Sequence, residues 1–276
     1  MAIMDVNFYS TSLMRTVTLK VILPVDKARG NKRAETKQEP LKCLYLLHGI
    51  FGDQGDWVSN TRIAQWAQEK NLAVIMPAGE NRFYIDQEAV DEKRGKFIGE
   101  ELVQVTRRMF HLSEKKEDTF IGGLSMGGYG ALINGLKYRD VFGAIVALSS
   151  GLVIDQALQS KYTEEIPFRN RHYYESIFGD LEKLSGSDKD YVHLAKQANQ
   201  SGEFPMLYLA CGTEDFLLNE NRRFHAILEK MQQEHAYVEN SGSHDWEYWD
   251  KMIKKALEWL PLEKSTFGTG SGRVQD

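Results

Sequence analysis

The sequence predicts an α/β fold, a mostly parallel sheet with helices on both faces, and three observations predict it. Short, continuous apolar runs recur along the 276 residues, as expected of strands covered on both sides. Segments of helical periodicity separate those runs, the alternation that builds a parallel sheet. One Gly-x-Ser-x-Gly sequence stands where an apolar run gives way to a helical pattern.

Taken in order, residues 16–23 (TVTLKVIL) alternate in polarity and read as an early strand closed by Pro24. Residues 41–47 (LKCLYLL), 72–76, 119–122, 144–148 and 206–211 are the buried strands. Helical patterns cover 61–69, 96–110, 129–138, 219–232 and 246–260. Right-handed crossovers between parallel strands then give a three-layer sandwich. Residues 151–204 separate two strands by far more than an ordinary connection and hold helical patterns of their own, at 173–177 and 190–198. A connection of that length commonly carries function, so a helical cap insert is expected there. Its aromatics Tyr162, Phe168, Tyr173, Tyr174 and Phe178 suit either the roof of a pocket or the interior of the cap. Residues 1–264 are read as one domain and 265–276, rich in Gly and Ser, as a flexible tail.

Composition bounds the function. Hydrophobic residues at 42% and charged residues at 26% are ordinary globular usage, and the length suffices to bury a large core without metal or disulfide staples. A net charge of −5 argues against nucleic acid, which needs a concentrated basic footprint. The basic stretch 27–37 is interleaved with Gly, Asn and Glu and reads as a solvated loop. Cys43 and Cys211 each sit in an apolar run, so both are expected as buried thiols. No run of about 18 apolar residues occurs and the first residues lack signal-peptide character, so a cytoplasmic chain without a membrane segment is expected. A homo-oligomer is left open.

The catalytic reading begins at Gly123-Leu-Ser125-Met-Gly127. Such a bare pattern arises by chance in roughly one chain of this size in ten, so its weight comes from the strand before it and the helix after it. At a sharp strand-to-helix turn the serine backbone is strained, and side chains two residues away would meet the neighbouring chain; glycine removes them. The helix start also offers N–H groups to negative charge. Ser125 is therefore the expected nucleophile. Acyl transfer needs donors for a tetrahedral oxyanion, and the expected ones are the N–H of Met126 and that of Ile50, or of its neighbour Phe51, in the loop opened by His48-Gly49. His48, at a strand end, is read as holding that loop. His244 lies in a turn-forming stretch (NSGSHDW) and is the expected base, because the other histidines lie in or beside helical, charged segments. The expected acid is Asp215, directly after the strand 206–211, with Glu214 as the neighbouring alternative. The order Ser125, Asp215, His244 is that of α/β-hydrolases, and the chemistry requires no cofactor or metal.

These residues resemble the esterase D / S-formylglutathione hydrolase superfamily, especially the bacterial tributyrin esterases. The likeness lies in Leu46-Leu-His-Gly49, Gly122-Gly-Leu-Ser-Met-Gly-Gly-Tyr-Gly-Ala131, Gly212-Thr-Glu-Asp215 and Gly242-Ser-His-Asp-Trp246, and spans about residues 5–260. It implies an α/β-hydrolase fold and a serine carboxylesterase that cleaves small, short-chain acyl esters with Ser125, Asp215 and His244. It also implies that Phe83-Tyr84 lines the acyl side of the pocket, and Phe51, Tyr84 and Trp246 are the candidate substrate contacts. Glutathione-thioester hydrolases carry a Cys-Thr pair where Phe51-Gly-Asp-Gln stands here, which points away from S-formylglutathione; the alternatives are feruloyl or acetyl-xylan esters, or the S-formylglutathione thioester itself. A non-catalytic binding module on the same fold, or another acyl-transfer enzyme, would differ by an unreactive Ser125 or by a different preferred acyl donor.

Overall fold

In a computed structural model, which describes residues 1–25 and 39–263, the chain winds around an eight-stranded sheet. The elements run β1 (Ala2–Ser10), β2 (Arg15–Leu23), β3 (Lys42–Leu47), α1 (Asp56–Asn60), α2 (Ile63–Glu69) and β4 (Leu72–Pro77). A small hairpin of β5 (Asp86–Gln87) and β6 (Glu92–Lys93) leads into α3 (Arg94–Lys96), a π-turn (Phe97–Glu101) and α4 (Leu102–Met109). Then come β7 (Thr119–Leu124), α5 (Met126–Lys137), β8 (Ala144–Leu148), α6 (Ile154–Gln159), α7 (Arg171–Phe178), α8 (Tyr191–Ser201), β9 (Met206–Gly212), α9 (Leu218–Lys230), β10 (Ala236–Asn240) and α10 (Trp246–Trp259). The sheet order is β1-β2-β4-β3-β7-β8-β9-β10. β1 and β2 pair antiparallel, as do β2 and β4, and all the other pairs are parallel.

The buried strands follow from their sequences. β4, β7 and β8 are buried at every position because helices cover both faces. On one face α4, α5, α8 and α9 pack with Ile75, Ile121 and Ile145; on the other, α2 and α10 cover Leu44, Val74 and Val146. Each large apolar side chain enclosed this way stabilises the fold by about 1.5–3 kcal/mol. The edge strands are the ones the sequence did not announce. β1 buries only its Met4, Val6 and Phe8 side partway and exposes Ile3 and Tyr9, while the five residues of β10 are all half-buried.

Residues 151–204 contribute to the same core as α5. Tyr129, in α5, packs edge-on against Tyr191 of α8 and donates its hydroxyl to the Lys189 carbonyl at 2.5 Å. Tyr174 and Phe178 are buried, whereas Tyr162 and Phe168 are exposed, so the aromatics of this segment divide between interior and surface. Cys43 and Cys211 are unpaired and buried, and burial pushes each thiol up to about 12. No helix among the described residues is long and apolar enough to cross a membrane. The basic stretch 27–37 and the tail 265–276 lie outside the described residues.

Glu101 ties the β1–β2 turn to the π-turn. Its carboxylate accepts from Ser10 Oγ at 2.7 Å, Thr11 N at 2.7 Å, Thr11 Oγ1 at 2.9 Å and Ser12 N at 3.0 Å. Burial alone would raise its pKa, but these donors outweigh it and bring the carboxyl down to about 2. A depressed folded-state pKa means that the stabilisation is complete above the ordinary glutamate value and fades as pH falls toward about 2. Glu101→Gln is expected to cost about 1–2 kcal/mol at neutral pH, after allowance for solvent screening. The difference from wild type should shrink in urea melts below pH 4, where wild type loses the same interaction.

Candidate active site

The serine sits on a turn that only this glycine pattern permits. Ser125 takes φ 53° and ψ −118°, left-handed for a residue with a side chain, at a cost of about 1–3 kcal/mol. A Cβ on Gly127 would lie 2.5 Å from the Leu47 carbonyl oxygen and 2.6 Å from that of His48; one on Gly123 would press into the Gly127 carbonyl. The end of β3 therefore passes directly over the elbow. The turn is pinned by Ser125 N donating to Leu148 O at 2.9 Å and by Gly151 N donating to Ser125 O at 2.8 Å. Gly49 is as constrained: its Cβ would stand 2.7 Å from Leu124 Cδ1 and 3.5 Å from Ser125 Cβ, so the loop after β3 abuts the serine.

Three side chains from distant parts of the chain meet here. His244 Nε2 lies 3.0 Å from Ser125 Oγ, and its Nδ1 lies 2.9 and 3.1 Å from the two oxygens of Asp215. A carboxylate only accepts, so Nδ1 carries the proton and Nε2 keeps a lone pair for the serine hydroxyl. The Asp215 side chain is fully shielded from solvent, and one oxygen also accepts from Leu217 N at 2.8 Å. Burial would raise its pKa, but the His244 and Leu217 hydrogen bonds prevail and hold the carboxyl below the usual aspartate value.

The loop carrying His244 is fixed from several sides. Glu214, the alternative acid, is turned away from the imidazole and accepts from Gly242 N at 2.5 Å. Asp245 caps α10 by accepting from Tyr248 N at 2.9 Å. The imidazole packs between Phe216, with ring centroids 4.6 Å apart, and Trp249 at 4.9 Å. Trp249 is itself held by its indole N–H donating to Ser149 Oγ at 3.1 Å.

Two backbone donors near the serine are spare. Among the described residues the N–H groups of Ile50 and Met126 make no hydrogen bond, whereas Phe51 N donates to Asn81 Oδ1 at 2.8 Å. Of the alternatives Ile50 and Phe51, Ile50 thus keeps the spare donor. His48 is buried and braces this loop: its Nε2 accepts from Gly79 N at 2.8 Å, which puts the proton on Nδ1, 2.7 Å from Gly49 O. Burial holds its imidazole below the ordinary histidine pKa, in keeping with a neutral ring.

The expected substrate contacts divide. Phe51 is 69% exposed at φ 69° and meets Phe168 of the 151–204 segment edge-on at 4.8 Å. Tyr84 does not line an open pocket: it is 1% exposed and donates its hydroxyl to His48 O at 3.0 Å, supporting the loop from beneath. Left-handed backbone at both Phe83 and Tyr84 turns the two rings into the core. Trp246 is half-buried against Trp57 and Trp249 and is one ring removed from the imidazole. A cavity of about 350 Å³ lies beside the Phe51 loop, lined by Glu80, Asn81, Arg82, Phe168, Tyr173 and Ser176. Asn81, Phe216 and Trp249 escaped sequence reasoning. Trp249 lay one helical turn beyond the quoted motif, and nothing local marks the other two.

Comparisons with known proteins identify the family. The family model for Esterase matches residues 10–260. An acetyl esterase of Caldicellulosiruptor saccharolyticus is 45% identical over 261 residues, 94% of this chain and 98% of that protein. Among solved structures, the fluorophosphonate-binding serine hydrolase F of Staphylococcus aureus superposes with a TM-score of 0.82 at 31% identity, over 94% of this chain and 98% of that one. An S-formylglutathione hydrolase of the same organism gives 0.80, also at 31% identity and over the same shares.

Proposed function

This chain belongs to the Esterase family and is a serine carboxylesterase, and on that premise we propose that it cleaves short-chain acyl esters, acetyl esters foremost, through an acyl-enzyme on Ser125. The observation that carries the assignment of residues is the position of His244, within hydrogen-bond reach of Ser125 Oγ on one side and of the Asp215 carboxylate on the other.

In the proposed cycle Ser125 Oγ attacks the ester carbonyl while its proton passes to His244 Nε2. The oxyanion accepts from the Ile50 and Met126 N–H groups, donors in place before the charge develops. The imidazolium shares its Nδ1 proton with Asp215 and gives the other to the departing alkoxide. Water then enters, loses a proton to Nε2 and attacks the acyl carbon, and the serine leaves with that proton. Phe51 and Phe168 border the side open to substrate. Tyr129, one turn behind the serine, is enclosed by Phe83, Phe178 and Tyr191, and this filled aromatic layer favours small acyl groups. The buried, unpaired cysteines suit the reducing cytoplasm that forms part of the same proposal.

A panel of p-nitrophenyl acetate, butyrate and octanoate, with methyl ferulate and a thioester, tests the substrate class. The acetyl and butyryl esters are expected to exceed the octanoyl ester at least about tenfold in kcat/KM, the scale set by a few methylenes without a pocket. Thioester turnover orders of magnitude above ester turnover would move the proposal to thioesters. Sedimentation of the purified chain reads the oligomeric state.

A further inference from the structure

Away from the serine, three potential metal ligands converge where α9 ends and β10 begins. His225 and Glu229 stand one helical turn apart on α9, and His235 immediately precedes β10. One ligand atom from each lies within 4.8 Å of the others. We infer that these residues bind a first-row divalent cation, zinc foremost, with His225 Nδ1, His235 Nε2 and a Glu229 oxygen as ligands.

The hydrogen bonds around the two imidazoles give the inference its weight. His235 Nδ1 lies 2.7 Å from the Gln233 carbonyl oxygen, so it carries the proton and leaves Nε2 with a lone pair. A histidine that donates its other N–H to a backbone carbonyl is arranged as metal-binding histidines commonly are. His235 Nε2 in turn lies 2.7 Å from His225 Nδ1, and His225 stacks on Tyr237 with centroids 4.1 Å apart and planes 6° from parallel. Each ring is thus oriented by a group other than its partner. The turn between them is also fixed: Gln233 N donates to Leu228 O at 3.0 Å, and Asn199 Nδ2 donates to Gln233 Oε1 at 3.0 Å.

Binding moves a proton without releasing one. The hydrogen that His225 Nδ1 shares with His235 is replaced by the cation, and His225 becomes the tautomer protonated at its outward Nε2. The two nitrogens, now at hydrogen-bond distance, must separate to about 3.3 Å to suit tetrahedral bonds of about 2.0–2.1 Å, a small side-chain adjustment. Two imidazoles and one carboxylate suit zinc better than calcium or magnesium, which take oxygen ligands. The cation would clip the far ends of α9 and β10, whose near ends lead from Asp215 and toward His244. Its expected effect is on stability.

The test uses the tag-free, chelator-stripped chain, with zinc chloride as probe and magnesium chloride as control. One zinc per chain is expected by elemental analysis after dialysis. At zinc about a hundredfold above Kd, the melting temperature should rise by about 4–6 °C. Glu229→Gln, an exposed position, should weaken zinc binding at least about tenfold, and His235→Ala should abolish the shift. No zinc-dependent shift in the wild type, or unchanged zinc affinity in Glu229→Gln, would overturn the inference. So would a shift that survives in His235→Ala, since the cation would then sit elsewhere. The inference stands apart from ester hydrolysis and does not share its failure.

Discussion

Ser125→Ala is expected to lower kcat/KM for p-nitrophenyl acetate by about ten-thousandfold to a millionfold, with the melting temperature within about 2 °C of wild type. The size follows from what remains. Without the hydroxyl, His244 has no bound nucleophile to activate, and only binding and the N–H groups of Ile50 and Met126 are left to assist water. The fold is spared because alanine keeps the left-handed turn at φ 53° with the same Cβ, and the pins at Leu148 O and Gly151 N use the main chain. A variant that melts as wild type but retains more than about a hundredth of the activity would place the chemistry on another residue.

The second large effect belongs to Asp215→Asn, expected to lower kcat by about a thousandfold to ten-thousandfold with KM little changed. An amide in place of the carboxylate can present N–H groups to His244 Nδ1. That selects the tautomer with a proton on Nε2, which can no longer accept from Ser125. The pH dependence has a definite sign. Asp215 is held below the ordinary aspartate pKa, so the stability it contributes is fully present above that value and is lost as pH falls through the lowered one. Wild type therefore gains from this carboxylate at pH 6 to 8, and the stability gap to Asp215→Asn closes in strong acid. An Asp215→Asn enzyme with more than about a tenth of wild-type kcat would instead favour Glu214, the neighbouring carboxylate, which in the structure serves the Gly242 N–H.

Much of this architecture was legible because its constraints are local. Gly123 and Gly127 are required by carbonyl oxygens of the adjoining backbone, so the motif records a steric fact that survives in one dimension. The buried strands were equally plain, since cover on both faces demands unbroken apolar runs. The edge strands were not: β1 is covered on one side only, and β10 is short and half-buried, so neither carries an unbroken run. Tyr84 shows a different limit. An aromatic just after a strand end is as compatible with a pocket wall as with a prop, and the left-handed backbone that sends it inward leaves no trace in periodicity. Phe216 and Asn81 are legible only in three dimensions, because what they touch is remote in the chain.

The central claim is that His244 makes Ser125 a reactive nucleophile, and labelling with a fluorophosphonate probe followed by peptide mapping tests it most directly. The expected result is one adduct per chain on Ser125, formed rapidly in the wild type and at least about a hundredfold more slowly in His244→Ala. An adduct on a different residue, or a Ser125 adduct formed at the wild-type rate without the imidazole, would contradict it.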